Sequence, residues 1–204
     1  MLRFGITTRI TQASGYSETR DSLAHDWSIF MMREFPNNIW VPLPNIGKDV
    51  VGYFQKLSLN VLILSGGDGH GETPERDKTE YALLQYALTN KIPIIGVCRG
   101  MQIIHTYFQG NLGLGSDEFI SNHRARTHKI ITSDGQKTVN SFHNYFLSEG
   151  TLNSKFSVIA RSLEDHSIEA FSGDLVLAIM WHPERECFDY QWSTNLIKNF
   201  LRYD

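Results

Sequence analysis

The 204-residue chain is 41% hydrophobic, 20% charged and 12% aromatic, with a formal net charge of -3. That is the make-up of a globular chain with a sizeable core, and it excludes a broad basic field for nucleic acid while leaving nucleotides open as ligands. No run has membrane-spanning length and the start "MLRFGITTRI" lacks the apolar core of a signal peptide; the expectations are a cytoplasmic location and no membrane partner.

In chain order, short β-branched runs alternate with segments of helical period. "RFGITT" reads as a strand, "RDSLAHDWSIFMMREF" as a helix with Asp21 near its start, "NIWVPL" as a strand and "DVVGYFQKL" as a helix. "NVLILS" and "IPIIGV" read as buried strands, each followed by a helix: "RDKTEYALLQYAL", with Asp77 and Glu80 at its acidic start, and "RGMQIIHTYF". After about residue 125 strands dominate: "THKIITS", "KTVNSF", "FSVIARS", "SIEAFS" and "LVLAIMWH", before a closing helix "YQWSTNLIKNFLRY". The alternation predicts one α/β domain over 1–204, a mostly parallel central sheet covered on both faces, with a β-rich second half.

Of the two cysteines, Cys98 and Cys187, neither sits in a CxxC pair, so no disulfide framework and no metal is expected. Cys98 lies in "GVCRGMQ", between Gly96 and Gly100 at a strand-to-helix turn. That spacing suits a nucleophile elbow, and the N-terminus of the helix beginning near Arg99 favours thiolate over thiol. A buried cysteine in an ordinary turn is the other reading.

A thiol nucleophile needs a base and a group to orient it. "AIMWHPE" supplies both at another strand end: His182 and Glu184, two apart in extended chain, point the same way. "LSGGDG" adds Gly66 and Gly67 at a third strand end, where bare backbone can approach a ligand. The Gly67 and Arg99 N–H groups are the oxyanion donors this arrangement suggests. In "HRARTHK", alternation would put Arg124, Arg126 and His128 on one side of a strand, where guanidinium forks suit phosphate; a solvated strand edge is the alternative. Its histidines lack carboxylate neighbours in the sequence. In "YSETRD", Asp21 reads as part of a helix-entry ion pair, and Arg9 and Arg20 as weaker anion contacts.

"LSGGDG", "GVCRGMQ" and "WHPE", in this order and spacing, resemble the three signatures of class I glutamine amidotransferase domains, and "VNSFHNY" resembles a stretch of the gamma-glutamyl hydrolase branch. The resemblance implies a flavodoxin-like three-layer sandwich and attack on a gamma-glutamyl carbonyl through a cysteine thioester that releases glutamate. It implies Cys98 as nucleophile, His182 as base and Glu184 as its orienter, with Gly66, Gln102, Ser141, Phe142 and His143 around the glutamyl group and no cofactor. "HNY" departs from the branch's usual "HHQ", which leaves the contact at Asn144 open. Likeness through "GITTRI", "YSETRDSLAHDW", "PLPN" and "RDKTE" is to a compact group with nucleotide-sugar and surface-polysaccharide functions. It implies gamma-glutamyl-CDP-amidate as the substrate, in capsule phosphoramidate synthesis; gamma-glutamyl-GABA-type hydrolysis and glutaminase supply of ammonia to a separate synthetase are the alternatives. Assembly into a homo-oligomer stays open.

Overall fold

The structure is a computed structural model and describes residues 1–148 and 150–203. The first half runs β1 (Arg3–Thr7), β2 (Arg9–Gln12), β3 (Thr19–Ser22), α1 (His25–Glu34), β4 (Ile39–Leu43), α2 (Val50–Lys56), β5 (Val61–Leu64), α3 (Pro74–Thr89), β6 (Ile94–Val97) and α4 (Arg99–Tyr107). The second runs β7 (Leu112–Leu114), α5 (Asp117–His123), β8 (Arg124–Thr132), β9 (Gly135–Phe142), β10 (Tyr145–Leu147), β11 (Ser157–Ser162), β12 (Ile168–Gly173), β13 (Val176–Ile179) and α6 (Tyr190–Leu201).

Nine strands form one sheet in the order β4-β1-β5-β6-β13-β12-β11-β8-β9. Neighbours are parallel from β4 to β13 and antiparallel from β13 to β9. The sheet is thus mixed, with a parallel core, and the β-rich half of the sequence is its antiparallel extension. The central strands "VLIL", "IIGV" and "VLAI" are buried at every position, as strands covered on both faces must be. Period-2 alternation sends Ile63 and Val97 towards Trp27, Phe30 and Met31 of α1 and Ile197 of α6. Leu62, Leu64 and Ile94 point the other way, into Phe54 of α2, Leu83 and Leu84 of α3 and Met101 and Ile104 of α4. This three-layer packing leaves the carboxyl ends of β5, β6 and β13 side by side, and the three motifs leave the sheet there.

The segment expected to enter the first helix behaves differently. Asp21 lies in β3, paired with Ile10 of β2, and its carboxylate accepts hydrogen bonds from Asn45 N at 3.1 Å and Asn45 Nδ2 at 2.6 Å. Hairpin pairing, a contact the local pattern did not contain, takes Asp21 out of the helix, which begins at His25. Asp77 does sit in the first turn of α3, whereas Glu80 points inward and is fully buried.

Candidate active site

Cys98 follows the last residue of β6 with φ 51° and ψ -105°, a strained conformation for a residue carrying a Cβ. The turn is pinned from both sides: Cys98 N–H donates to the Ile179 carbonyl of β13 at 2.8 Å, and its own carbonyl accepts Gln102 N–H at 3.2 Å. The flanking glycines allow the close approach. A Cβ on Gly96 would lie 2.8 Å from the Gly100 main chain, and one on Gly100 would fall on the Leu64 carbonyl.

His182 arrives just beyond β13, with its Nδ1 2.7 Å from Glu184 Oε1. Burial pulls the His182 imidazolium down, but Glu184 and Cys98 outweigh it and raise the pKa to about 9. Burial likewise raises the Cys98 thiol, yet the adjacent His182, His143 and the Arg99 N–H outweigh it, so Cys98 is shifted below an ordinary thiol. The two shifts describe one thiolate–imidazolium pair, each charge sustaining the other. Cys187 lies in the opposite setting: burial and then Asp189 push it up to about 11.

Gly66 lies flat against the histidine, where a Cβ would come 2.5 Å from His182 Cε1. Gly67 adopts φ +138°, and among the described residues its N–H has no backbone acceptor. A buried ion network holds this loop: Arg76 donates to the carbonyls of Ser65 at 2.9 Å and Gly66 at 3.0 Å and pairs with Glu80 at 3.0 Å. Glu80 also accepts from Thr7 Oγ1 at 2.8 Å and from the Arg99 side chain, which also pairs with Asp77. One carboxylate therefore ties β1, the glycine loop and the start of α4 together, and Arg76 and Asp77 order the loop.

A cleft of about 170 Å³ opens beside Cys98, lined by Gly67, Asp68, Glu72, Gln102, Phe142 and His143 among others. The Phe142 ring stands edge-on to His182 at 5.5 Å, with the Arg185 guanidinium 4.4 Å above it. Burial lowers the His143 imidazolium, but Glu169 and then Cys98 outweigh it, leaving its pKa raised. Cys98, His182, Glu184, Gly66, Gly67, Arg99, Gln102, Phe142 and His143 are thus gathered in one place.

Three expectations change. Ser141 does not line the cleft: its fully buried hydroxyl donates to the His123 carbonyl at 2.7 Å. Arg124 and Arg126 do not share a face. Ala125, at φ 55°, forms a bulge that sets Arg124 opposite Phe142 and Arg126 opposite Ser141, adjacent residues of β9 that point to opposite sides. His128 stays on the Arg126 side, buried rather than exposed. Nor do the histidines of this segment lack carboxylates, because Asp165 and Glu169 reach them across the sheet. Arg9 lies against Gly67, while Arg20 pairs with Glu18 in the open.

The sequence reading missed Asn140, Arg185 and Glu169. Asn140 lies inside the quoted "VNSFHNY", but nothing local said that its amide would meet His182. Glu169 left a signal, an acid in a strand whose neighbours Ile168, Ala170 and Phe171 are all apolar and buried.

Residues 62–184, which hold all three motifs, match the peptidase C26 family. The chain is 31% identical over 189 residues to a gamma-glutamyl-CDP-amidate hydrolase of Campylobacter jejuni, covering 89% of this chain and 90% of the relative. It is 28% identical over 162 residues to a gamma-glutamyl-gamma-aminobutyrate hydrolase of Escherichia coli O157:H7, covering 66% of this chain and 63% of that one. Among solved structures, a glutamine amidotransferase from Thermotoga maritima superposes with a TM-score of 0.64 at 15% identity, over 90% of this chain and 76% of the other. With the family match spanning the glycine loop, the elbow and the histidine–glutamate pair, the chain belongs to the peptidase C26 family of class I glutamine amidotransferase-like hydrolases.

Proposed function

We propose that residues 1–204 act as one cysteine hydrolase of gamma-glutamyl amide bonds, with Cys98 as nucleophile, His182 as acid and base and Glu184 as the group that orients it. The observation that carries this reading is the Cys98–His182–Glu184 chain, whose Cys98 lines a cleft. The Cys98 thiolate attacks the gamma-carbonyl carbon, and the oxyanion is received by the N–H groups of Gly67 and Arg99. His182 gives its proton to the departing nitrogen, the C–N bond breaks and a glutamyl thioester remains. Water then adds to the thioester as His182 takes its proton, and the C–S bond breaks to release glutamate and restore the Cys98 thiolate beside the His182 imidazolium.

Gln102, Phe142 and His143 surround the space for the glutamyl end. Asp68, whose buried Oδ2 has no hydrogen-bond partner among the described residues and stands 3.8 Å from Arg76 Nη1, lines the cleft as the acceptor for an alpha-ammonium group. The substrate we favour is gamma-glutamyl-CDP-amidate, giving glutamate and cytidine diphosphoramidate in capsule phosphoramidate synthesis, in the cytoplasm. Two things support it: the near full-length likeness to the Campylobacter enzyme, and the pairing of Arg124 opposite Phe142, which lines the cleft. The second reading, a gamma-glutamyl-GABA-type hydrolase, is favoured by the weaker likeness to the Escherichia coli enzyme. Among the described residues no helix is long and apolar enough to cross a membrane.

The test is glutamate release from a panel of gamma-glutamyl-CDP-amidate, gamma-glutamyl-GABA and glutamine. The proposed substrate should have the highest kcat/KM. A preference for gamma-glutamyl-GABA moves the chain to the second reading, and a preference for glutamine makes it a glutaminase.

A further inference from the structure

Next to the cleft, side chains from distant parts of the chain converge: His123 at the end of α5, His128 in β8, His143, Asp165, and Glu169 in β12. The three histidines and Glu169 are at most 4% exposed. Hydrogen bonds fix one ring proton on each of His123 and His143. His123 Nε2 lies 2.7 Å from Asp165 Oδ2, an acceptor, so Nε2 carries a proton and Nδ1 is the ring nitrogen turned towards the cluster. His143 Nδ1 lies 2.8 Å from the Tyr145 carbonyl oxygen, so Nδ1 carries a proton and Nε2 is the nitrogen turned towards the cluster.

These two nitrogens face each other at 3.2 Å, and Glu169 Oε1 stands 3.8 Å from the first and 3.6 Å from the second. Two imidazole nitrogens and a carboxylate oxygen converging in a dry space call for a cation among them, a proton or a metal ion. A proton on His143 would relieve that one meeting. It would leave His128, neither of whose ring nitrogens has a hydrogen-bond partner among the described residues, and the bare Glu169 Oε2, 3.4 Å from His128 Nε2. A metal ion engages both at once. One donor atom each from His123, His128 and Glu169 lies within 4.8 Å of the others, so a modest contraction reaches the ~2.0–2.2 Å ligand distances of zinc.

We infer that His123, His128 and Glu169 form a binding site for a divalent transition-metal ion of the zinc type, with His143 Nε2 beside it as a further donor. Two imidazoles and a carboxylate form a nitrogen–oxygen set suited to such ions rather than to calcium or magnesium. Asp165 supplies the outer carboxylate that commonly holds a ligating histidine in its tautomer. Its ligands come from α5, β8 and β12, so the ion braces these elements and fixes the His143 ring on the floor of the cleft. The site is independent of which glutamyl compound is hydrolysed.

The test uses full-length Cys98→Ala protein, because a catalytic thiolate would bind zinc on its own account. After chelator treatment it is titrated with Zn²⁺ by calorimetry and with Co²⁺ by visible absorption. The expected result is one equivalent of either ion, cobalt bands of a four- or five-coordinate nitrogen–oxygen site, and a Tm that rises with Zn²⁺. Adding His128→Asn or Glu169→Gln should abolish stoichiometric binding, and Asp165→Asn should weaken it by about 10- to 100-fold. No binding to the Cys98→Ala protein, or binding that these changes leave untouched, overturns the site. If the two ligand variants fail to fold by circular dichroism, the partly exposed Asp165 decides: zinc affinity unchanged in Asp165→Asn overturns the site, and weakened affinity upholds it.

Discussion

Asn140 grips the main chain of His182 from both sides: its Oδ1 accepts the His182 N–H at 2.8 Å and its Nδ2 donates to the His182 carbonyl at 2.8 Å. Two bonds from one planar amide set where the imidazole leaves the backbone, and they join β9 to the end of β13. With His182 as the proposed acid and base, Asn140 is placed to act as a positioning residue through it. Asn140→Ala should lower kcat by roughly ten- to a hundredfold with little change in KM, since small misplacements of a catalytic group have effects of that size. Steady-state kinetics check the split, and an effect on KM alone would count against the role.

Cys98→Ser should reduce turnover to roughly a thousandth or less while the protein stays folded, because a serine at this elbow lacks the acidity of the thiol. Cys187→Ser should retain near-normal kinetics, in keeping with a thiol that burial and Asp189 push up to about 11. Mass spectrometry of protein quenched during turnover should find the glutamyl adduct on Cys98. An adduct on Cys187 would identify the wrong thiol.

The pH profile follows from the paired shifts. Activity should rise with pH as Cys98 loses its proton, below the range of an ordinary thiol. It should fall on the alkaline side as His182 loses its proton near a pKa of about 9. The Glu184 carboxylate is the larger of the two charges holding His182 up against burial, so Glu184→Gln should move the alkaline limb to lower pH and leave partial activity. A limb that stays in place in this variant would mean that another group sets it.

Glu80→Gln should destabilise the fold by about 3–5 kcal/mol, measured by urea unfolding, because removing one partner leaves the buried cations short of a counter-charge. Burial raises this carboxyl, but Arg76 and Arg99 outweigh it and hold it below its usual range. A loss near zero would mean that water enters the network.

Arg124→Ala should cut kcat/KM for a phosphate-bearing substrate by roughly tenfold or more, the size of one charge-assisted contact of about 1.5–3 kcal/mol, and should spare a neutral gamma-glutamyl amide. Arg126→Ala, on the opposite face, should treat both substrates alike. Comparison of the two substrates in each variant reads the difference, and equal losses with both substrates in Arg124→Ala would remove this arginine from the leaving-group site.

Much of the site was legible in the sequence because its chemistry is written locally. The elbow needs Gly96 and Gly100 two residues either side of Cys98, and the His182–Glu184 pair needs only an extended chain between them; both are short-range requirements that leave a mark in the order of residues. The buried strands were legible too, since full coverage demands unbroken apolar runs such as "VLIL" and "VLAI". Long-range pairing was not. Whether Arg124 and Arg126 share a face depends on the one-residue bulge at Ala125, and whether Asp21 enters a helix depends on its pairing with Ile10 in another strand. The meeting of Asn140 with His182, and of Glu169 with three histidines, spans 42 residues in the first case and is set by sheet order in the second. Local periodicity carries no record of strand register, so these contacts exist only once the sheet has closed.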